Sequence, residues 1–167
     1  MNRVEVSEAL ARKYPEWVVL VVTKRSDGLV DVMPAGWAMV TSGQPPMFAV
    51  SVGHRRYTHE LIEEGGEFVI AFPSPGMGPA IDYCGSHSGR DADKIANTTL
   101  DVLPSSEVKP PLIKGAIVNL ECRLAGTLRT GDHTIFAGEI VAAHVEEDVR
   151  SRLVNFGGNC YAVARPA

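Results

Sequence analysis

The chain has 167 residues, of which 45% are hydrophobic, and this predicts a single domain over residues 1–167 with a sizeable core. A net charge of -4 argues against a nucleic-acid partner, because phosphate backbones recruit basic surfaces. The longest apolar run, "WVVLVV", has the length of a strand and is too short to cross a bilayer. Three widely spaced cysteines, Cys84, Cys122 and Cys160, indicate free thiols in a reducing cytoplasm rather than a disulfide framework.

The first predicted element is an N-terminal helical arm over residues 1–15. Acidic residues stand among its basic ones, and it lacks the apolar core of an export signal. Ser7 is a plausible N-cap of a short helix that ends before Pro15.

Short strands follow the arm. Residues 17–34 are typical of a strand, a turn at Asp27-Gly28 and a second strand that stops at Pro34. The segments "WAMVTSG" and "MFAVSVG", on either side of Pro45-Pro46, predict another strand pair. Next come a helix, "YTHELIEEGG", with Thr58 as its predicted cap, and the strand "EFVIAFP".

The second half is less regular until residue 115. Between Ser74 and Pro111 the pattern predicts turns and two short helices, "PAIDYCG" and "DADKIANTTL". The segment 116–148 alternates apolar and polar residues on both sides of "RTGDH", which predicts a long hairpin. Residues 146–167 form a C-terminal tail. Many short strands with inserted helices favour a mainly β fold, a small antiparallel barrel with helical arms.

Two segments have the composition of an anion site. In "VSVGHRRYTHELI", a strand leads into a basic loop and then into a helix whose first turn presents free N–H groups. In "CGSHSGRDADK", residues 84–94, two glycines and two serines precede Arg90 and Lys94. The competing interpretation of the first segment is an ordinary capped helix with a solvated basic loop, and that of the second is a polar surface loop. The spacing of Cys84 and His87 lacks a second ligand pair, so no metal site is predicted.

Two aromatic residues are candidates for contact with a planar ligand. Trp37 follows Ala35 and Gly36, so small residues give access to its flat surface, although large aromatic residues are more often part of the core. His133 lies in the hairpin turn, where it can serve as a general acid or a hydrogen-bond donor, or can simply be solvated.

Taken together, these motifs resemble the flavin reductase-like family of FMN-binding split barrels. The matching segments occur in the family's order: "VDVMPAGW", "PPMFAVSVGHRRYTHELI", "GEFVIAFP", "SGRDADK", "LECRL" and "GDHTIFAGEIV". The resemblance implies a six-stranded antiparallel split barrel with Greek-key-like topology. It also implies a homodimer that holds FMN, or FAD in its place, at or near the interface.

The resemblance also implies roles for individual residues. Those expected at the FMN phosphate are Thr58, Ser88, Gly89 and Lys94. Those expected along the flavin ring are Asp31, Met33, Ala35, Trp37, Ser42 and Ser51. His133 is expected near the flavin or the substrate as the catalytic residue, and Phe156 in the C-terminal tail is expected to close over the site or meet the partner subunit.

Three functions follow from the resemblance. The first is an FMN-dependent oxidoreductase that takes a hydride from NADH or NADPH and passes reduced flavin or electrons to a monooxygenase component or another acceptor. The second is an electron carrier of the flavoredoxin type without nicotinamide activity, and the third is a non-catalytic ligand-binding dimer. Family members often carry asparagine at the position of Asp31. If this carboxylate touches the ring, its charge should make flavin reduction harder.

Overall fold

The structure, a computed structural model, describes residues 1–147 and 151–165. Its strands are β1 (Glu16–Trp17), β2 (Val19–Lys24), β3 (Val30–Ala35), β4 (Ala38–Gly43), β5 (Pro46–Gly53), β6 (Glu67–Phe72), β7 (Val102–Leu103), β8 (Leu112–Ile113), β9 (Val118–Thr130), β10 (His133–Val145), β11 (Arg152–Asn155) and β12 (Tyr161–Ala164). Its helices are α1 (Val6–Ala11), α2 (Tyr57–Gly65), α3 (Gly78–Ser86) and a short 3-10 helix at Pro75–Met77. In this described part of the chain, no helix is long and apolar enough to span a membrane.

Seven strands form one antiparallel sheet in the order β3-β2-β6-β9-β10-β5-β4. Its centre is the predicted hairpin: β9 and β10 have 13 residues each, and Thr130 pairs with His133 across the turn. Two small sheets, β1-β11-β12 and β7-β8, lie outside it. The predicted mainly antiparallel β fold is confirmed, and the main sheet has seven strands where the resemblance implies six.

The main sheet curls around one hydrophobic core. Met33 on β3 and Phe48 on β5 belong to the same cluster of buried side chains as Phe68 on β6 and Phe136 on β10. Because β3 and β5 lie near opposite ends of the strand order, they can share this core only if the sheet bends back on itself. Helix α2 adds Ile62 to the same core, so its first turn is held beside β3 and β5.

A second core covers the outer face of the barrel. Val19 and Val21 of β2 point into the barrel, whereas Leu20 and Val22 pack in a separate cluster with Ile81 of α3. Burial on both faces explains why β2 has a continuous apolar sequence rather than an alternating one. Since α3 packs against β3, the segment that follows it, residues 87–94, runs close to the start of α2.

Both predicted N-caps are wrong. Helix α2 begins at Tyr57 with Arg56 in the N-cap position, and the Thr58 hydroxyl inside its first turn donates to Asp31 Oδ2 at 2.6 Å. This long-range partner replaces the local capping bond that the sequence suggested. Helix α1 begins at Val6 after Glu5, so Ser7 is not its cap. The predicted end of α2 is confirmed, with the residue after the helix, a glycine, in the left-handed conformation.

Two further predictions about secondary structure are wrong. Strand β3 continues through Pro34 because it is an edge strand of the main sheet, where a missing N–H costs no ladder hydrogen bond. The segment 91–100 forms turns rather than a helix. The Asp93 carboxylate accepts hydrogen bonds from the N–H groups of Ile95 and Ala96 at 3.1 and 3.0 Å, a local alternative to helical bonding.

The C-terminal tail folds back on the N-terminal arm. Strand β11 pairs with β1 on one side and with β12 on the other, so part of the predicted tail over 146–167 is a small antiparallel sheet. Residues 148–150 and 166–167 of that tail lie outside the described residues.

Candidate functional site

A buried ion pair lies where β3, α2 and the segment after α3 meet. Lys94 Nζ lies 2.8 Å from Asp31 Oδ1 and donates a hydrogen bond to the Val32 carbonyl at 2.8 Å. Thr58 donates to the other carboxylate oxygen of Asp31. Asp31 is 0% exposed and Lys94 is 3% exposed, so solvent screens this charge pair weakly. Each charge therefore depends on the other for compensation.

One oxygen of this pair is poorly satisfied. Asp31 Oδ1 has the Lys94 ammonium 2.8 Å away as its ion-pair partner, and among the described residues it accepts no hydrogen bond. Gly89 packs directly on this oxygen: a Cβ atom at that position would overlap it. The glycine is therefore needed for close approach of the backbone, rather than for a left-handed conformation.

A cleft of about 170 Å³ opens above the ion pair, and we call it the anion cleft. One wall is the basic loop and first turn of α2, residues 55–58, and the other is formed by residues 84–89, with Lys94 at its base. Three cations, Arg55, Arg56 and Lys94, contribute to the lining, and the helix terminus adds unpaired N–H groups. The charge and the donors suit a phosphate.

Cys84 also lines the anion cleft, but its thiol is not activated. Burial raises the pKa of Cys84 to about 11, and the nearby Asp31 charge adds to this effect while Lys94 partly opposes it. The thiol therefore stays protonated at neutral pH. Within the described residues, no group of three or more His, Cys, Asp or Glu side chains is arranged to hold a metal ion.

A second cleft of about 170 Å³, the ring cleft, continues from the first. Met33 and Arg56 line both clefts, so the two are consecutive. The ring cleft is also lined by Glu16, Pro34, Ala35, Gly36, Trp37, Ser51, Gly53 and His133. The small residues and the two aromatic rings of Trp37 and His133 in this lining suit a planar heterocycle.

His133 and Trp37 form the outer wall of the ring cleft. The two rings lie 4.9 Å apart, and Nδ1 of His133 lies 2.7 Å from the Asp132 carboxylate. This contact favours the tautomer with the proton on Nδ1, which leaves Nε2 as an acceptor when the ring is neutral and as a donor when it is protonated.

The structure brings together most of the residues predicted for the site. Thr58, Ser88, Gly89 and Lys94 gather at the anion cleft; Met33 lines both clefts; Ala35, Trp37, Ser51 and His133 line the ring cleft. The Asp31 carboxylate lines neither cleft and lies beneath the first, so its contact with a flavin stays a prediction.

Two predicted residues lie apart from both clefts. Ser42 is on β4, where its hydroxyl accepts a hydrogen bond from the Gln44 N–H at 3.2 Å. Phe156 lines a neighbouring cleft together with Tyr14, and that cleft shares Trp37 with the ring cleft.

Glu16 is a lining residue that the sequence did not reveal. Its carboxylate pairs with Lys13 and lies so close to Gly36 that a side chain there would overlap it. Glu16 belongs to β1, outside the main sheet, and reaches the ring cleft only because β1 packs beside β3 in three dimensions. No local pattern around a single glutamate indicates such a contact.

Comparison of the sequence with known proteins identifies a matching family and related proteins. The sequence model of the flavin reductase like domain matches residues 11–164. A flavin reductase of Pseudomonas putida is 26% identical over 150 residues, which cover 90% of this chain and 85% of that protein.

Two solved structures share the whole fold. The flavoredoxin of Methanosarcina acetivorans is 31% identical with a TM-score of 0.85, covering 100% of this chain and 94% of that one. An FMN-binding protein of Thermus thermophilus, solved with bound p-hydroxybenzaldehyde, is 28% identical with a TM-score of 0.88, covering 99% and 97%. The predicted split-barrel fold is thereby confirmed.

Proposed function

The chain belongs to the flavin reductase-like domain family, and from this membership we propose that it is an FMN-dependent oxidoreductase that uses NADH or NADPH. One observation carries the proposal: the anion cleft and the ring cleft are consecutive through Met33 and Arg56. A phosphate site joined to a slot for a planar ring matches the two ends of FMN. FMN, when bound, supplies the hydride-accepting chemistry, so the protein needs no covalent catalytic group.

The residues at the anion cleft fit a phosphate. Lys94, Arg55 and Arg56 outnumber the single carboxylate of Asp31, and Ser88 and the backbone beside Gly89 offer further donors. Charge-assisted hydrogen bonds of this kind are about twice as strong as neutral ones. Lys94 is held by its two partners, so its position is fixed before a ligand binds.

The residues at the ring cleft would orient the flavin and its reductant. Trp37 is 50% exposed and presents a flat apolar surface at the cleft. We propose His133 as the residue that holds or donates a proton near the reacting ring, with its orientation fixed by Asp132. Its ring lies 4.9 Å from that of the half-exposed Trp37, which supports a role close to where a second substrate would approach.

We further propose that the protein acts as a homodimer with the flavin near the interface. Strand β4 is an edge strand that exposes Met39 by 55% and Val40 by 63%, next to the half-exposed Trp37. An apolar sheet edge of this kind is usually covered by a partner. Since Trp37 also lines the ring cleft, a second copy there would border the flavin. The three cysteines are free, which supports a reducing cytoplasm as the location.

The second candidate function is an electron carrier of the flavoredoxin type. The similarity to the M. acetivorans flavoredoxin supports it, because the two chains match over nearly their full lengths. Both functions need bound flavin, and only the first needs reduction by a nicotinamide. In either case, the reduced flavin or its electrons pass to a monooxygenase component or another acceptor.

Binding of FMN tests the site directly. We expect Lys94→Met to weaken FMN binding strongly and riboflavin binding little, because riboflavin lacks the phosphate. Lys114→Met removes an exposed lysine that pairs with Asp101, and it should leave both affinities unchanged. Equal loss of FMN and riboflavin affinity in Lys94→Met would show that the lysine does not meet the phosphate.

A further inference from the structure

Arg25 joins the turn between β2 and β3 to the anion cleft from outside. Its Nη1 donates to the carbonyl of Gly89 at 3.0 Å, across 64 positions of sequence. Its Nη2 pairs with Asp27 at 2.8 Å, and the other oxygen of Asp27 accepts the N–H of Leu29. The turn is thus organised around Asp27 in a way that aims the guanidinium at Gly89.

Tyr57 supports the same arrangement from the start of α2. The Arg25 guanidinium lies 5.9 Å from the centre of the Tyr57 ring, and the Arg90 guanidinium lies 4.6 Å from it. Arg90 also pairs with Glu60 of α2 at 2.7 Å. Cation–π contacts and the ion pair therefore bind the segment around Gly89 to the first turn of α2.

The segment itself has no regular secondary structure to hold it. Residues 87–94 follow the end of α3 and form turns, in which the Arg90 N–H donates to the Ser88 hydroxyl at 3.2 Å. On its inner side Gly89 packs on the Asp31 carboxylate, and on its outer side its carbonyl accepts from Arg25. Gly89 is held between these two contacts.

We infer that Arg25 is a positioning residue that fixes Ser88 and Gly89 for phosphate binding and so gives the site its preference for phosphorylated flavin over riboflavin. This inference rests on the proposed function. Arg25 lines a different cleft, formed with Lys24 and Lys109, and acts on the anion cleft through Gly89. A fixed segment loses less conformational freedom when a ligand binds, and this favours binding.

The test compares the dissociation constants of FMN and riboflavin, measured by quenching of flavin fluorescence. In Arg25→Met the segment with Ser88 and Gly89 must be ordered when the phosphate binds, so we expect the FMN affinity to fall about tenfold while the riboflavin affinity stays within about twofold. Lys24→Met is the matched control, since it removes the same charge one residue earlier. Its preference for FMN should equal that of the wild type.

The outcomes separate the inference from the proposed function. If the wild-type protein binds neither flavin, the proposed function fails. If the wild type prefers FMN and Arg25→Met keeps that preference, or loses affinity for both flavins equally, the inference is overturned and the function stands. Should Arg25→Met fail to fold, Arg25→Lys keeps the charge without the two-pronged contact to Gly89 and Asp27. An unchanged preference in that variant also overturns the inference.

Discussion

Replacing Asp31 with asparagine tests how the buried charge pair and the phosphate depend on each other. The change keeps the size of the side chain and an acceptor for Thr58, but leaves the Lys94 ammonium without its carboxylate. Removing one partner of a buried ion pair typically costs about 3–5 kcal/mol. We expect the lower end, about 3 kcal/mol, because the Val32 carbonyl remains and the anion cleft admits water.

The stability change converts into a measurable shift of the melting temperature. For a chain of this size, 1 kcal/mol corresponds to about 2–4 °C, so Asp31→Asn should melt about 6–12 °C below the wild type. FMN should restore much of this difference, because its phosphate supplies the negative charge that Lys94 has lost. Riboflavin should restore none of it.

Thermal unfolding with and without each flavin checks both parts. Asp101→Asn removes an exposed carboxylate that pairs with Lys114 and serves as the control, with little expected change. A melting temperature of Asp31→Asn within about 2 °C of the wild type would show that Lys94 does not depend on Asp31 for charge compensation. Equal stabilisation of both proteins by FMN would show that the phosphate does not replace the Asp31 charge. Asp31→Asn also removes one negative charge and leaves that of Lys94 uncompensated, which favours the anionic reduced flavin, so we expect the midpoint potential of bound FMN to rise in this variant.

Three further predictions concern acid stability, thiol reactivity and backbone approach. Burial alone would raise the pKa of Glu121, but the backbone N–H groups of Ser106 and Glu107, the His144 ring and the Ser106 hydroxyl donate to its carboxylate and lower the pKa to about 2. The ionised Glu121 therefore stabilises the fold fully above its ordinary pKa near 4.5, and this stabilisation is lost as the pH falls towards 2. In urea unfolding, Glu121→Gln should be less stable than the wild type at pH 7 and should lose less stability than the wild type as the pH falls. Iodoacetamide should label the exposed Cys160 and leave the buried Cys84 unlabelled in the native protein at pH 8, as measured by mass spectrometry; rapid labelling of Cys84 would contradict its burial and its raised pKa. Gly89→Ala adds a methyl group that overlaps a buried carboxylate oxygen, so FMN affinity should fall about tenfold or more in a fluorescence titration. Gly76→Ala, with no atom nearby and no place in either cleft, should bind FMN as the wild type does.

The strands and the outline of the site could be predicted because their signals are local. Alternating residues around "RTGDH" identify the hairpin of β9 and β10, and turn residues at Asp27-Gly28 separate β2 from β3. The order of motifs identified the family, and with it nine of the residues that line the two clefts. These features depend on neighbours within a few positions of the chain.

The contacts that organise the site could not be predicted because their partners are far apart in sequence. Threonine is a residue type that commonly caps helices, but the Thr58 hydroxyl donates its hydrogen bond to Asp31, which lies 27 residues earlier in the chain. The hydrogen bond between Arg25 and Gly89 joins residues 64 positions apart, and the sequence around either residue does not indicate the other as its partner. The Asp93 carboxylate accepts hydrogen bonds from nearby backbone N–H groups and so stabilises a turn where a helix was predicted; helix propensity alone does not indicate this.

Anaerobic mixing of the FMN-loaded protein with NADH or NADPH tests whether a nicotinamide coenzyme reduces the bound flavin. We expect the visible absorbance of the flavin to bleach with at least one of the two coenzymes, and deuterium at the transferred position to slow the bleaching. A bound flavin that stays oxidised with both coenzymes, yet is reduced by dithionite, would contradict the proposed reductase activity and favour the electron-carrier function.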